Sequence, residues 1–411
     1  MARVRDVAGR PPGNARLLRH PPFKRLALTQ VAHAAGDALV TVALADSLFF
    51  AVPIGEARQT VALYLALTMA PFAVLSPLVA PWLDRFRGSL RASIAISMVG
   101  RVLLAAALSS RRGGIELYPL AFGLLVLSRV HGVSRSALVP ESTPPGQSFM
   151  WANGRLAVVS VIGGVLGAVP GVAITRTAGA DAVLLLAATV FAVGTLATLD
   201  LPHVNRPPQL EGADHRLLSP RLLSGGVAMA AIRAAAGFAV FLLAFLLRAG
   251  GDGERGLALA AVAGGLGGFL GAALGPHLRR LLSEPAVLAA CLLVIGVTAA
   301  WAGLWYSLGA GLVVAGVVGL GSGASRLAFD SLVQTDAPEQ ARGRTFVRYE
   351  TIFQLAWVSG AALASLVPLR SRGGMLTLAI VSVGGLLGMV VSGSRSREGH
   401  PVAVQPQDGR R

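Results

Sequence analysis

One apolar stretch near the start of the chain carries four polar residues at helical spacing, namely Gln30, His33, Asp37 and Thr41. Separations of three, four and four residues put them on one face of a helix. Asp37 lies about 13 residues, or roughly 20 Å, from the basic end of the stretch. A carboxylate at that depth in a bilayer is costly, and the competition between burial and a neighbouring arginine makes a proton switch. We predict proton coupling at Asp37 and His33 beside a cavity lined by Gln30 and Thr41. The alternative is a structural aspartate held by hydroxyl groups.

Arginines also lie inside apolar stretches, at Arg101, Arg129, Arg155 and Arg233. Each must face protein, water or substrate, because a guanidinium in lipid is costly. Arg155 is near enough to the membrane surface for its side chain to reach the headgroups. Arg101 and Arg233 are candidates for ion pairs or for the lining of a substrate cavity.

A second polar face lies late in the chain, where Glu350, Gln354 and Trp357 are spaced four and three residues apart. Glu350 is predicted to be a gate partner for arginines at the cytosolic entrance, or alternatively a second protonation site. Gln354 and Trp357 are predicted to form an amphipathic pocket with Phe238 and Phe241. The alternative is that these aromatic rings pack in the core or face lipid.

The composition requires a membrane setting for these groups. Of 411 residues, 54% are hydrophobic and only 14% are charged, against about a quarter charged in soluble domains. The net charge is nevertheless +16, with Lys24 as the only lysine. The arginines are scattered singly between apolar stretches, which argues against nucleic-acid binding. The single cysteine, Cys291, excludes an internal disulfide.

About twelve stretches are long enough to cross a bilayer, which takes about 20 apolar residues. They run roughly over 24–50, 60–82, 90–110, 117–138, 152–175, 181–200, 221–248, 255–276, 285–306, 308–330, 348–369 and 373–393. The polar segment 201–220 divides them six and six. The predicted units are a cytosolic basic tail (1–22), an N-terminal six-helix bundle (23–200), a central cytosolic loop (201–220), a C-terminal six-helix bundle (221–394) and a disordered cytosolic tail (395–411). With both termini cytosolic, most arginines fall on the cytosolic side, as the positive-inside rule requires.

The two halves align at a constant offset of 194 residues. Residues 136–139 then fall on 330–333, Pro144 falls on Pro338, and Arg85 falls on Arg279. Each match lies at the cytosolic end of an even-numbered span, so the chain is predicted to be an internal duplication. Two similar six-span halves indicate a transporter with its site near the bilayer midplane between them.

The loop after the second span runs Ala80-Pro81-Trp82-Leu83-Asp84-Arg85-Phe86-Arg87-Gly88. It resembles the loop signature of the major facilitator superfamily, Gly-x-x-x-Asp-Arg before a basic cluster, with Ala80 in place of the first glycine. The carboxylate of Asp84 can pair with arginine and with a helix N-terminus, so Asp84 and Arg85 are predicted to latch the halves together. In the second half Leu278 stands in place of the acid. The alternative is an ordinary basic turn.

Glycines recur along the fifth predicted span, at Gly154, Gly163, Gly167 and Gly171. Their spacing resembles the antiporter signature of the same superfamily, although Ala168 stands where that signature has proline. Glycines four residues apart also let helix backbones approach closely, so helix packing is their structural role.

The resemblance covers about residues 20 to 395 and implies an all-α polytopic fold of about twelve transmembrane helices in two pseudo-symmetric six-helix bundles. Arg129 resembles the superfamily's fourth-span arginine, which is linked to proton coupling, and is therefore our predicted partner for Asp37. The expected function is proton-coupled export of a small amphipathic molecule from the cell by alternating access, in the drug and small-molecule efflux branch. The expected partners are substrate, protons and anionic lipids around a monomer in the plasma membrane.

Two alternatives remain open from the sequence: an importer with the same fold, and a non-transporting scaffold or accessory subunit. An enzyme is not expected, because no Gly-Lys pair exists for a phosphate-binding loop and no Gly-x-Ser-x-Gly elbow occurs. The seven histidines show no metal-ligand spacing, and no cofactor is expected.

Overall fold

The computed structural model describes residues 20–44, 90–110, 116–201, 219–249, 253–338, 342–367 and 370–398, and these ranges are helical apart from short turns. The helices are α1 (Pro21–Leu44), α2 (Leu90–Ser109), α3 (Leu117–Ser142), α4 (Phe149–Thr198), α5 (Pro220–Ala249), α6 (Gly253–Leu278), α7 (Glu284–Leu304), α8 (Leu308–Asp336), α9 (Arg342–Leu366) and α10 (Ser371–Glu398). The predicted span 60–82, the loop at 80–88, residues 202–218 of the central loop, and the terminal residues 1–19 and 399–411 lie outside the described residues. The helix α10 runs to Glu398, four residues into the tail that was predicted to be disordered.

The helix α4 consists of two helices that meet at Gly179, whose φ of 80° and ψ of 171° suit glycine. Its two parts correspond to the predicted spans 152–175 and 181–200. Each predicted span within the described residues therefore has a helix. Eight of the ten helices are long and apolar enough to cross a membrane by length and composition. The exceptions are α3 and α9, which carry Arg129, Arg135 and Glu350 among their charged residues.

In the N-terminal half, α1 packs along α4, and α2 packs against both α3 and α4. The approach of α1 to α4 depends on glycine, because a Cβ at Gly167 would collide with the backbone carbonyl of Ala35. Gly163 lies in the same way against Val31. The phenyl ring of Phe191 is fully buried between these helices.

The C-terminal half repeats this arrangement. Here α5 packs along α9, where Gly237 and Gly360 each lie against the backbone of the other helix. The pair α5 and α9, spans seven and eleven, is the counterpart of α1 and the first part of α4, spans one and five. A second close pair is formed by α6 and α8, where Gly267 and Gly271 lie against the α8 backbone. The fold is the all-α, two-bundle architecture that the sequence predicts.

The two halves meet at one end of the bundle, where α3, α6 and α8 end and α4 and α9 begin. We call this the closed end. Gly154 of α4 lies 3.4 Å from the carbonyl of Ala272 on α6, measured from the position a Cβ would take. Met150, at the start of α4, is fully buried within the hydrophobic core of the C-terminal half. The closed end is therefore a packed junction rather than a loose approach of loops.

Candidate functional site

An ion pair between α1 and α2 lies in the middle of the N-terminal half. The Asp37 carboxylate is bonded by Nη2 of Arg101, a guanidinium that is fully buried. The hydroxyl of Ser128 on α3 donates to Oδ2 of Asp37 at 2.7 Å. The Asp37 side chain keeps 37% of its surface exposed, so this carboxylate remains open to solvent while its partner does not.

Aromatic rings support the Arg101 side chain. Its guanidinium lies 4.0 Å above the ring centre of Phe191, a cation–π contact. A Cβ at Gly36 would collide with that same ring, so the glycine before Asp37 allows Phe191 to sit beneath the arginine. Gly36 and Asp37 of α1 thus position both the carboxylate and the phenyl ring on which its arginine partner packs.

Two histidines complete this group. Nδ1 of His33 lies 2.6 Å from Nη1 of Arg101, and its Nε2 lies 3.5 Å from Oδ2 of Asp37. The ring of His33 stacks on His131 of α3 with a centroid separation of 4.0 Å. Both ring nitrogens of His131 are buried, and among the described residues neither has a hydrogen-bond partner. We call Asp37, Arg101, His33, His131 and Ser128 the central cluster.

The predicted partnership between Asp37 and Arg129 is wrong, because Arg101 occupies that place. The reason is helix geometry. Successive residues on a helix are rotated by about 100°, so Ser128 and Arg129 cannot both point at α1. Ser128 faces Asp37, and Arg129 faces the opposite half, where its Nη1 lies 3.5 Å from Oε1 of Glu350.

Glu350 lies at the centre of a second set of charges, between the halves. Its Oε2 accepts a 2.7 Å hydrogen bond from Nη1 of Arg326 on α8. Nε of Arg326 lies 3.1 Å from Oδ1 of Asp330, one turn along the same helix, as the spacing of these two residues predicts. We call Arg129, Arg326, Asp330 and Glu350 the interface cluster. It lies closer to the closed end than Asp37 does.

Further polar contacts join the halves at the closed end itself. The side-chain amide of Asn153 on α4 donates to the side-chain carbonyl of Gln334 on α8 at 2.8 Å. The amide of Gln334 in turn donates to the backbone carbonyl of Ser136 on α3 at 2.9 Å. Arg342 and Glu141 form a looser ion pair at 3.7 Å. Buried hydrogen bonds of this kind specify how the two surfaces align.

The loop between α6 and α7 is the second-half counterpart of the predicted loop that contains Asp84 and Arg85. Nε of Arg279 lies 2.8 Å from Oε1 of Glu284, so this arginine is held within its own half. The next residue, Arg280, crosses to the other half and lies 5.5 Å above the ring of Trp151. Asp84 and Arg85, the corresponding residues of the first half, lie outside the described residues.

The remaining predicted cavity residues divide into two groups. Gln30 donates to Ser160 of α4 at 2.8 Å, and Thr41 donates to the backbone carbonyl of Asp37, so both contact their own half. Phe238 is fully buried in the C-terminal core, because the close approach of α5 and α9 at Gly360 encloses it. The prediction that Phe238 lines a pocket is therefore wrong.

One turn further along α5, Phe241 is partly exposed, as is Trp357 of α9, and the two rings meet edge to face with centroids 6.1 Å apart. Gln354 is buried beside them on α9. Arg233, on α5, keeps part of its side chain accessible. We call Phe241 and Trp357 the aromatic wall.

The four glycines of α4 that the sequence pattern singled out lie at helix contacts. Gly163, Gly167 and Gly171 face α1, whereas Gly154 faces Pro276 of the other half. Our sequence reasoning missed Ser128, His131 and Arg135. The available signal was their spacing of three and four residues along one face of α3.

Comparison with known proteins identifies the family. The Major Facilitator Superfamily profile matches residues 26–361. The chain belongs to this superfamily. It is therefore a multi-pass membrane transporter of small molecules rather than an enzyme.

The uncharacterized protein ML2143 of Mycobacterium leprae is 30% identical over 410 residues, which cover 88% of this transporter and 70% of that protein. The uncharacterized protein Rv0876c of Mycobacterium tuberculosis is 40% identical over 143 residues, 33% of this chain and 26% of that one.

Solved structures show the same fold. A bacterial homologue of the iron transporter ferroportin in the outward-facing state superposes with a TM-score of 0.68 at 18% identity, over 92% of this chain and 99% of that one. The human organic anion transporter MFSD10 gives 0.67 at 17% identity, over 92% and 100%. The transporter FucP in its outward conformation gives 0.66 at 13% identity, over 90% and 98%. Among the described residues of this transporter, no group of three or more His, Cys, Asp or Glu side chains is placed to hold a metal ion.

Proposed function

We propose that this transporter exports a small amphipathic molecule from the cell in exchange for protons, as a member of the efflux branch of its superfamily. The central cluster is the observation that carries the proposal. It holds a partly exposed carboxylate, Asp37, against a fully buried arginine, Arg101, within the membrane. Intramembrane carboxylates paired in this way mark proton pathways.

Protonation of Asp37 changes what holds α1, α2 and α3 together. The neutral acid no longer balances the charge of Arg101, whose guanidinium is left with Nδ1 of His33 and the ring of Phe191. Proton binding therefore favours an arrangement in which Arg101 finds another counter-charge. The conformational shift is limited by the difference in proton and substrate affinity between the two arrangements.

The interface cluster and the closed end act as the cytosolic gate in this proposal. The arginine distribution supports a cytosolic location for the closed end, and the described arrangement is then the one open to the outside. Opening to the cytosol breaks the contacts of Glu350 with Arg129 and of Asn153 with Gln334. Asp84 and Arg85 are proposed as a further latch on that side.

The direction of transport rests on the glycines of α4, whose spacing resembles the antiporter signature. In the structure Gly163 and Gly167 pack directly on α1, near Asp37. This contact supports a coupling between protonation on α1 and movement of α4. We further propose a monomer in the plasma membrane with two six-helix units (23–200 and 221–394), cytosolic termini, and anionic lipids at the cytosolic face.

Flux into inverted proteoliposomes under an imposed pH gradient tests the proposal, with a panel of amphiphiles and metabolites. We expect substrate uptake to be driven by protons moving the opposite way, and Asp37→Asn should abolish the dependence of uptake on the pH gradient. Asp200→Asn is the matched control, because Asp200 is 66% exposed at the end of α4. Full pH-driven flux in Asp37→Asn would show that the coupling site is wrong. Uptake driven by a gradient of the opposite orientation would indicate import.

A further inference from the structure

Positive charge exceeds negative charge among the buried and half-buried groups in the central part of the described helices. Five arginines lie in the central part of the described helices: Arg101, Arg129, Arg135, Arg233 and Arg326. Three carboxylates lie among them, on Asp37, Asp330 and Glu350. Among the residues that the structure describes, this leaves a surplus of two positive charges at this level, with the histidines taken as neutral. Such a surplus in a membrane interior is costly unless something else balances it.

Arg233 on α5 carries the clearest part of this surplus. It forms no hydrogen bond or ion pair with another described residue, and its Nε is buried without a partner. Its electrostatic neighbours are Glu350, Arg326 and Arg129, so the nearby carboxylate in the described part of the chain is already shared by two other arginines. A guanidinium in this position presents its remaining N–H donors to whatever enters the space between the halves.

The neighbouring charges are accessible from that space. The side chains of Arg129 and Arg326 are 44% and 37% exposed, although both contact Glu350. Glu350 faces the N-terminal half, since it contacts Arg129 there. Trp357 lies seven residues further along α9, two turns away on the same face. The arginines around Glu350 and the aromatic wall therefore lie along the same side of the C-terminal half, and we take the space they face as the pathway.

The order of these groups along α5 gives the site a direction. Phe241 follows Arg233 by eight residues, so it lies about 12 Å further from the closed end along the helix axis. The positive groups form the deep part of the pathway, and the aromatic wall forms its outer part. A ligand with a negative head and an apolar body matches this order, because guanidinium groups bind carboxylate, sulfonate and phosphate oxygens through paired hydrogen bonds.

We infer that the transported molecule is a small organic anion, with its anionic head bound at Arg233 beside the interface cluster and its apolar body against Phe241 and Trp357. This inference rests on the proposed transport function and specifies its substrate class. A cation entering the same space meets like charges, and a neutral molecule leaves the surplus unbalanced.

Three naphthalene probes that differ in charge provide the test: naphthalene-2-sulfonate, the neutral naphthalene-2-sulfonamide and a naphthyltrimethylammonium salt. Binding to the purified full-length protein is measured by calorimetry, and flux is measured in proteoliposomes with an imposed pH gradient. We expect the sulfonate to bind most tightly, and Arg233→Gln to weaken its binding about ten- to hundredfold, the range for a hydrogen bond to a charged group.

Two further variants separate a charge effect from misfolding. Arg233→Lys keeps the positive charge and should restore most of the sulfonate affinity. Arg176→Gln removes an equal charge from an exposed position on α4 and should leave the affinity unchanged. Unaltered sulfonate binding in Arg233→Gln overturns the inference, as does preference for the neutral or cationic probe. The inference is also overturned if sodium phosphate binds as tightly as the sulfonate, because the site would then bind inorganic anions.

The two proposals fail in different ways. If the neutral or cationic probe is carried by the pH gradient and the sulfonate is not, the transport proposal stands and the anionic class is wrong. If the sulfonate binds through Arg233 and the pH gradient drives no flux, the anion site stands and proton coupling is wrong.

Discussion

Glu350→Gln removes the charge that links the two halves through the interface cluster. The carboxylate contacts Arg326 at 2.7 Å within its own half and Arg129 at 3.5 Å in the other half. Only the second contact is lost when the halves separate at the closed end. The substitution keeps the size of the side chain and removes its negative charge, so we expect it to favour opening of the closed end.

The magnitude follows from the distance and the exposure of the pair. Two unit charges 3.5 Å apart attract by about 5 kcal/mol at an effective dielectric constant of about 20. The Arg129 side chain is 44% exposed, so solvent screening reduces the net contribution to about 1–2 kcal/mol. The equilibrium constant for opening should therefore rise about 5- to 30-fold.

A cysteine reporter measures this equilibrium. Met150 is fully buried in the junction between the halves, so Met150→Cys reacts with a maleimide only after opening. The background is Cys291→Ala, which removes the single native thiol. Leu281→Cys is the control for reagent reactivity, since Leu281 is 84% exposed. We expect the labelling rate at position 150, relative to that at 281, to rise 5- to 30-fold in Glu350→Gln.

A double-mutant cycle with Arg129→Gln then isolates the pair. If the two side chains act on each other, the double variant should open about as much as either single variant, and the coupling energy should match the single effects. Equal labelling rates in Glu350→Gln and the parent, or fully additive effects in the double variant, would refute the argument that this contact holds the closed end.

Three further predictions follow from the packing. Gly167→Ala should lower the free energy of unfolding in detergent by about 1–3 kcal/mol, because the new Cβ meets an α1 carbonyl. Gly164→Ala should raise it by about 0.5–1 kcal/mol, because nothing lies within 4 Å of a Cβ there. Equal effects of the two substitutions in thermal unfolding would contradict the packing. Asn153→Leu should destabilise the closed arrangement by about 1–3 kcal/mol, because Gln334 loses a buried partner, and unchanged reporter labelling would count against this. A membrane-impermeant maleimide should reach Leu281→Cys only in opened cells, and labelling in intact cells would reverse the orientation.

The positions and order of the described membrane helices were readable from the sequence. Apolar stretches of about 20 residues bounded by arginines and turns predict the spans, because hydrocarbon thickness sets the length of a crossing helix. The internal offset predicts a duplication, and the structure packs corresponding pairs of helices in both halves, α1 with α4 and α5 with α9. Asp37 and Glu350 were recognisable for the same reason, since a carboxylate in an apolar span stands out by composition.

The partners of those carboxylates depended on the tertiary structure. Arg101 and Arg129 are equally plausible partners for Asp37 by depth, and only the rotation of α3 turns Ser128 to the acid and Arg129 to the other half. Phe238 is likewise enclosed by a helix far away in the chain. The hydrophobicity pattern along the chain indicates how deep in the membrane each residue lies. Which side chains meet depends on the rotation and approach of helices separated by many residues, which depth alone does not specify.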